Sequence, residues 1–211
     1  MREAGLAFDN SNGNTRVGAR TASAVLLIDL QRDFLAGPGS RMPVSAKGAE
    51  AVLRVANEIL KGQQLQGVLP IIIVNEFPRS ATVLNALRRH AAVAGTPGAD
   101  LDPRLADPGS ARKFTKARAS AFSNPELENY LRSEGIARLY LLGVMAEACV
   151  RATVVDARKR SYRVTVIADA VASSSAWKVG VALWIMKRAG AEVVYLHGPD
   201  DSQLRDESGL E

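Results

Sequence analysis

A chain of 211 residues and 22.5 kDa, 47% hydrophobic and 23% charged, can fill one sizeable core, and these proportions exclude a disordered or fibrous protein. A formal charge of +5 raises the question of a polyanionic partner, but the basic residues fall in short pieces at 87–90, 111–118 and 157–163, without interleaved aromatics, so they read as solvated helix faces and no nucleic acid is expected. The lone cysteine excludes an internal disulfide, the first twenty residues lack the apolar centre of a signal peptide, and no apolar run approaches the ~20 residues of a membrane span, so a cytoplasmic protein without membrane contact is expected.

Residues 1–22 are rich in Gly, Asn, Arg and Ser and carry no apolar periodicity, so they are expected to form a flexible arm ahead of a single domain at 23–198. From Ala24 the pattern changes: 24–30 reads as a strand buried on both faces, 46–64 as an amphipathic helix, and 67–77 as a second buried strand. A helix is expected around 80–90, then a long Gly/Pro/Asp loop at 93–113, with "RKFT" as a short strand leaving it. Asn124 can cap a helix that has Pro125 at its first position and Gly135 as its stop. Strands at 137–144, 163–171 and 191–196 follow, with helices near 147–160 and 174–189 between them, and 199–211 reads as a polar tail.

Strands alternating with helices imply a mainly parallel sheet covered on both faces, and in such sheets reactive groups gather beyond the carboxyl ends of the strands. Three residues stand at those ends. Asp29 lies inside the end of the first strand among leucines and an isoleucine, where a carboxylate is costly unless it is paired, works, or simply binds a turn amide. Lys116 follows the short "RKFT" strand, and on its own it reads as a solvated lysine more readily than as a functional one. Cys149 opens a helical segment, where the dipole and unpaired amides favour a thiolate and can hold an oxyanion, although a free cysteine is also often an inert buried hydrophobe. Together the three supply what a cysteine hydrolase needs: a nucleophile, a cation beside it and a carboxylate to move protons.

Four segments carry a resemblance in the right order: "AVLLIDLQRDFL", "HAAVAGTPGADLDPRL", "TKARASAFSNPELENYLRSEGI" and "LYLLGVMAEACVRATVVDARKRSYRVTVIADAVAS". They are similar to the opening strand, the Gly-Thr-x-Gly loop, the Lys segment and the nucleophile region of the isochorismatase-like cysteine hydrolases, the family of nicotinamidases and N-carbamoylsarcosine amidases. The resemblance implies a single-domain, three-layer α/β/α sandwich with a mainly parallel, about six-stranded sheet. It further implies Cys149 as nucleophile, Asp29 as general base and acid, Lys116 as their cation, a cis peptide at Val144–Met145, and an oxyanion hole from the backbone N–H groups of Met145 and Cys149. A homodimer or homotetramer is implied as well, with 175–187 as either an interface or a core helix.

The match departs where nicotinamidases carry an Asp-x-His metal site, because the corresponding stretch is Asn75, Glu76, Phe77. His90 and His197 read as structural, so neither metal nor cofactor is expected and nicotinamidase activity itself is disfavoured. Ala119 and Ala146 replace an aromatic and a Thr or Ser, leaving a pocket of Phe34, Asn75, Phe77, Ala119 and Ala146 for a small-molecule substrate. The leading expectation is a metal-independent hydrolase of a C–N bond, amide or carbamoyl, working through a thioester. The alternatives are an isochorismatase-type ether hydrolase with an idle thiol and a catalytically silent binding protein of the same fold. Glycines at 37–39 and 95–98 complete no nucleotide-binding motif.

Overall fold

The structure is a computed structural model that describes residues 22–35 and 37–198, so the expected tail and all but the last residue of the expected arm lie outside the described residues. The elements run β1 (Ala22–Ile28), α1 (Ala46–Leu60), β2 (Leu69–Asn75), α2 (Thr82–Leu87), β3 (Arg112–Lys116), α3 (Pro125–Ser133), β4 (Ile136–Val144), α4 (Arg151–Lys159), β5 (Arg163–Ala172), α5 (Ala176–Arg188) and β6 (Glu192–Val194). All six strands are parallel, in the order β3-β2-β1-β4-β5-β6. The three-layer sandwich expected from the sequence is the fold observed.

The central strand explains the architecture. Ala24 to Ile28 are fully buried, because β1 is flanked by β2 and β4 and covered on both faces. Each such Leu or Ile contributes about 1.5–3 kcal/mol relative to exposure. On one face α1 lays down Ala49, Val52, Val55, Ala56 and Ile59, and the Ser45 hydroxyl caps its start by accepting from the Gly48 N–H. On the other face α3, α4 and α5 supply Leu127, Leu131, Val154, Ala157, Ala182 and Met186. The Asn124 side chain accepts from the Glu126 N–H and Pro125 stands at the first position of α3, as its sequence indicates. Helix α5 buries only Ala182 and Met186 and leaves Trp177, Val181 and Trp184 exposed. Among the described residues no helix is long and apolar enough to cross a membrane.

From β1 the chain builds β2 and β3 to one side and then crosses to β4 on the other. This reversal opens a crevice beyond the carboxyl ends of β1 and β4. Gly143 lets these strands approach: its φ is 123°, and a Cβ there would run into the Ile28 carbonyl.

Candidate active site

Most elements end within a few residues of the sequence reading, α1 stopping at Leu60 and β2 spanning Leu69–Asn75, and two of the boundaries that differ concern the site. Strand β1 ends at Ile28, so Asp29 lies just past the strand, in the left-handed region at φ 57°, its N–H donating to the Ile73 carbonyl at 2.9 Å. Asp tolerates that conformation better than most residues. Cys149 is not the first residue of a helix: a π-helical turn, Ala146–Val150, precedes α4 and carries the thiol within it. The peptide Val144–Met145 is cis.

Lys116, the last residue of β3, is the hub. Its Nζ lies 2.9 Å from Asp29 Oδ2 and 3.4 Å from Cys149 Sγ. Asp29 and Lys116 are almost wholly buried, whereas Cys149 is half-buried and therefore reachable. The three candidates from three strand ends thus come into contact in one crevice.

Other side chains hold them. Gln31 is fully buried; its amide N–H groups donate to the Asn75 carbonyl at 2.9 Å and the Ala99 carbonyl at 2.6 Å, and its oxygen accepts from the Asn75 N–H at 2.8 Å. It latches the end of β2 and the 95–100 loop to the residues after β1. Thr153, also fully buried, donates to the Cys149 carbonyl at 2.7 Å and accepts from the Ala121 N–H at 3.0 Å. That hydroxyl ties the nucleophile turn to the segment following Lys116. Thr153 does not stand out in the sequence, where it is one polar residue in a helical pattern.

The electrostatics correct the expected thiolate. Burial pushes the Cys149 thiol up, the Asp29 charge pushes it further, and Lys116 only partly opposes them, leaving the thiol at about 12. Burial also raises the Asp29 carboxyl above its ordinary range against the pull of Lys116 and the thiol. Lys116 would be lowered by burial, but Asp29 and Cys149 outweigh that and hold it above the usual lysine range. The resting triad is a neutral thiol beside a buried ion pair. Among the described residues, no group donates a hydrogen bond to Asp29 Oδ1 or to Asn75 Oδ1 at the end of β2, where Asn75 is the register partner of Lys116.

Of the expected pocket residues, Phe34 and Phe77 are buried in the cluster on the α1 side, and Asn75 is buried beside the ion pair. Ala146 is packed into the opposite cluster, and Ala119 is exposed between β3 and α3. The residues after β2 do not suit a metal: Asn75, Glu76 and Phe77 offer no imidazole, and among the described residues no group of three or more His, Cys, Asp or Glu side chains converges. His197 Nε2 is 2.8 Å from Glu58 Oε2 on α1, while His90 is exposed and its carbonyl accepts from Arg41.

Comparison with known proteins places this geometry. Residues 23–197 match the isochorismatase domain family. A probable inactive nicotinamidase of Arabidopsis thaliana is 30% identical over 83% of this chain and 93% of its own length. The nicotinamidase/pyrazinamidase of Mycobacterium tuberculosis is 28% identical over 81% and 97%. The pyrazinamidase of Pyrococcus horikoshii, solved in complex with zinc, superposes with a TM-score of 0.71 at 30% identity, covering 82% of this chain and 98% of that one. By sequence and by fold, this chain belongs to the isochorismatase family, whose similar members include named amidohydrolases.

Proposed function

We propose that the chain hydrolyses a C–N bond of a small amide or carbamoyl compound through a thioester on Cys149, with no metal taking part. The observation that carries this reading is the contact of Lys116 Nζ with both Asp29 and Cys149 at the crevice between β1 and β4. Asp29 takes the S–H proton as the sulfur attacks the carbonyl carbon, so a thiol that rests neutral becomes nucleophilic only with a substrate in place. Lys116 keeps its charge and offsets the negative charge moving between sulfur and carboxylate. The N–H groups of Met145 and Cys149 receive the oxyanion, each donor of this kind being worth about 10²-fold or more in rate. Asp29 then passes its proton to the nitrogen, the C–N bond breaks, and ammonia or an amine leaves. Water attacks the thioester, yielding the acid and restoring the thiol.

The retained thiol supports amide over ether hydrolysis. Because one relative is named inactive, turnover itself is the test. Ammonia release from a library of primary amides is expected in wild type, insensitive to chelator, with an acyl adduct on Cys149 trapped by acid quench and intact mass. Full turnover in Cys149→Ala would end this reading.

A further inference from the structure

We infer that Glu147 is a positioning residue, which aims the oxyanion-receiving turn by fastening it to the end of β5; this rests on the amide-hydrolysis reading above. Glu147 stands midway between Met145 and Cys149, whose N–H groups receive the oxyanion in that reading. In the sheet, β4 lies between β1 and β5. Cys149 Sγ meets Lys116, on the β1 side, whereas Glu147 Oε1 accepts from the Ser173 hydroxyl at 2.8 Å, just past the end of β5. Ser173 is a fixed point: it is buried, and its carbonyl accepts at 2.9 Å from the N–H of Ser45, the residue that caps α1. The Lys178 ammonium of α5 lies 3.8 Å from the same Glu147 oxygen.

A π turn is rare and sits mostly at functional sites. In this one the Ala148 and Val150 N–H groups both donate to the Met145 carbonyl, at 3.1 and 3.2 Å, so two of its bonds end on one acceptor and side chains must set its place against the sheet. Thr153 does this on one flank, through the Cys149 carbonyl, and Glu147 on the other. A carboxylate is otherwise a poor choice here. Two residues from the nucleophile it would repel the charge that develops on the substrate oxygen, and its Oε2 is buried with no donor among the described residues, which is costly. The Ser173 bond and Lys178 offset that charge and draw it toward β5, and the turn gains a fixed position. Oxyanion donors work only when aimed where charge develops, and a misplacement of about 1 Å costs about 10²-fold in rate. Glu147 thus acts on the transition state through the amides of Met145 and Cys149, without touching the substrate itself.

Two reagents take the same sulfur by different routes and so test the clamp. With p-nitrophenyl acetate the sulfur attacks the carbonyl carbon, the S–H proton passes to Asp29, the carbonyl oxygen becomes an oxyanion, and the C–O bond breaks to release p-nitrophenolate and leave a thioester. Iodoacetamide alkylates the sulfur by loss of iodide from carbon, and no oxyanion forms. Glu147→Ala is expected to slow acylation by about tenfold to a hundredfold, read by p-nitrophenolate release and intact mass, while alkylation stays within about twofold. On the primary amide that wild type hydrolyses fastest, the loss should fall on kcat, with KM within about twofold. Ser173→Ala should lose as much, the double variant no more than either, and Glu147→Gln, which keeps an acceptor for Ser173, should recover most of the lost rate. Acylation as fast as wild type in Glu147→Ala, equal slowing of acylation and alkylation, additive losses in the double variant, or no acylation of Cys149 in wild type overturns the inference. Cys149-dependent amide hydrolysis untouched by Glu147→Ala sinks the clamp and leaves the amidase reading standing. Glu147-dependent acylation without hydrolysis of any amide upholds the clamp and sinks the amidase reading.

Discussion

Lys116 with Asp29 and Arg160 with Glu128 are ion pairs of the same length, 2.9 Å, yet the first pair is 1% exposed on both sides and the second 31% and 22%. Both link elements distant in sequence. In the crevice, neither charge is tolerable without the other, and the pair shifts the titration of the thiol beside it. At the surface, Glu128 also meets Arg132, its carboxyl is held below its usual range chiefly by the hydrogen bond from Arg160, and water screens what remains. The same contact acts as chemistry when dry and as decoration when wet.

The largest break comes from removing one buried partner. Lys116→Met should abolish turnover and cost about 3–5 kcal/mol of stability by leaving an uncompensated carboxylate, read by urea unfolding at pH 8. Asp29, whose carboxyl already titrates above its unfolded value, would be pushed further up; the protonated form is the one the fold prefers, so stability is retained at low pH and lost as pH rises through the folded pKa. The deficit of the variant should therefore shrink at pH 5, and a deficit independent of pH would contradict the account.

A sharper contrast separates the two charges by their effect on Cys149. Asp29→Asn removes a charge that raises the thiol pKa and should speed iodoacetamide labelling at a given pH, whereas Lys116→Met removes one that lowers it and should slow labelling, each by about tenfold per pH-unit displacement of the profile. Movement of both profiles in one direction would refute the assigned roles.

Thr153 joins by a buried hydroxyl roughly the same elements that Arg160 and Glu128 join outside, α4 and the chain around α3. Thr153→Val should cost about 1–3 kcal/mol, because it leaves the Ala121 N–H unpaired. It should also shift the pH profile of Cys149 labelling, and Thr153→Ser should restore both. The smallest effect is expected from Glu128→Gln: an unfolding midpoint within experimental scatter and unchanged turnover, because the exposed pair contributes little.

Much of this was legible before any fold was seen. The buried run at 24–28, the Asn124-Pro125 start and Gly135 stop of α3, and the placing of Asp29, Lys116 and Cys149 at strand ends follow from apolar periodicity, capping chemistry and the parallel-sheet rule. The protonation state of Cys149 was not legible. A helix start argues for a thiolate, but the thiol sits inside a π turn and is dominated by burial and by a carboxylate from another strand. The stacking of Arg88 on Phe77 was equally hidden, since "LRRH" in the sequence is a solvated basic patch and nothing local says which arginine finds a ring.

The sequence by itself determined the alternation of strand and helix, the mainly parallel sheet that this alternation implies, and which residue types could do chemistry, because these depend on local periodicity and on groups carried by single residues. Only the tertiary structure decided which charges pair, which acceptors are left without donors and what state the thiol rests in. Those quantities are set by desolvation and by distances of a few ångströms between residues far apart in the chain.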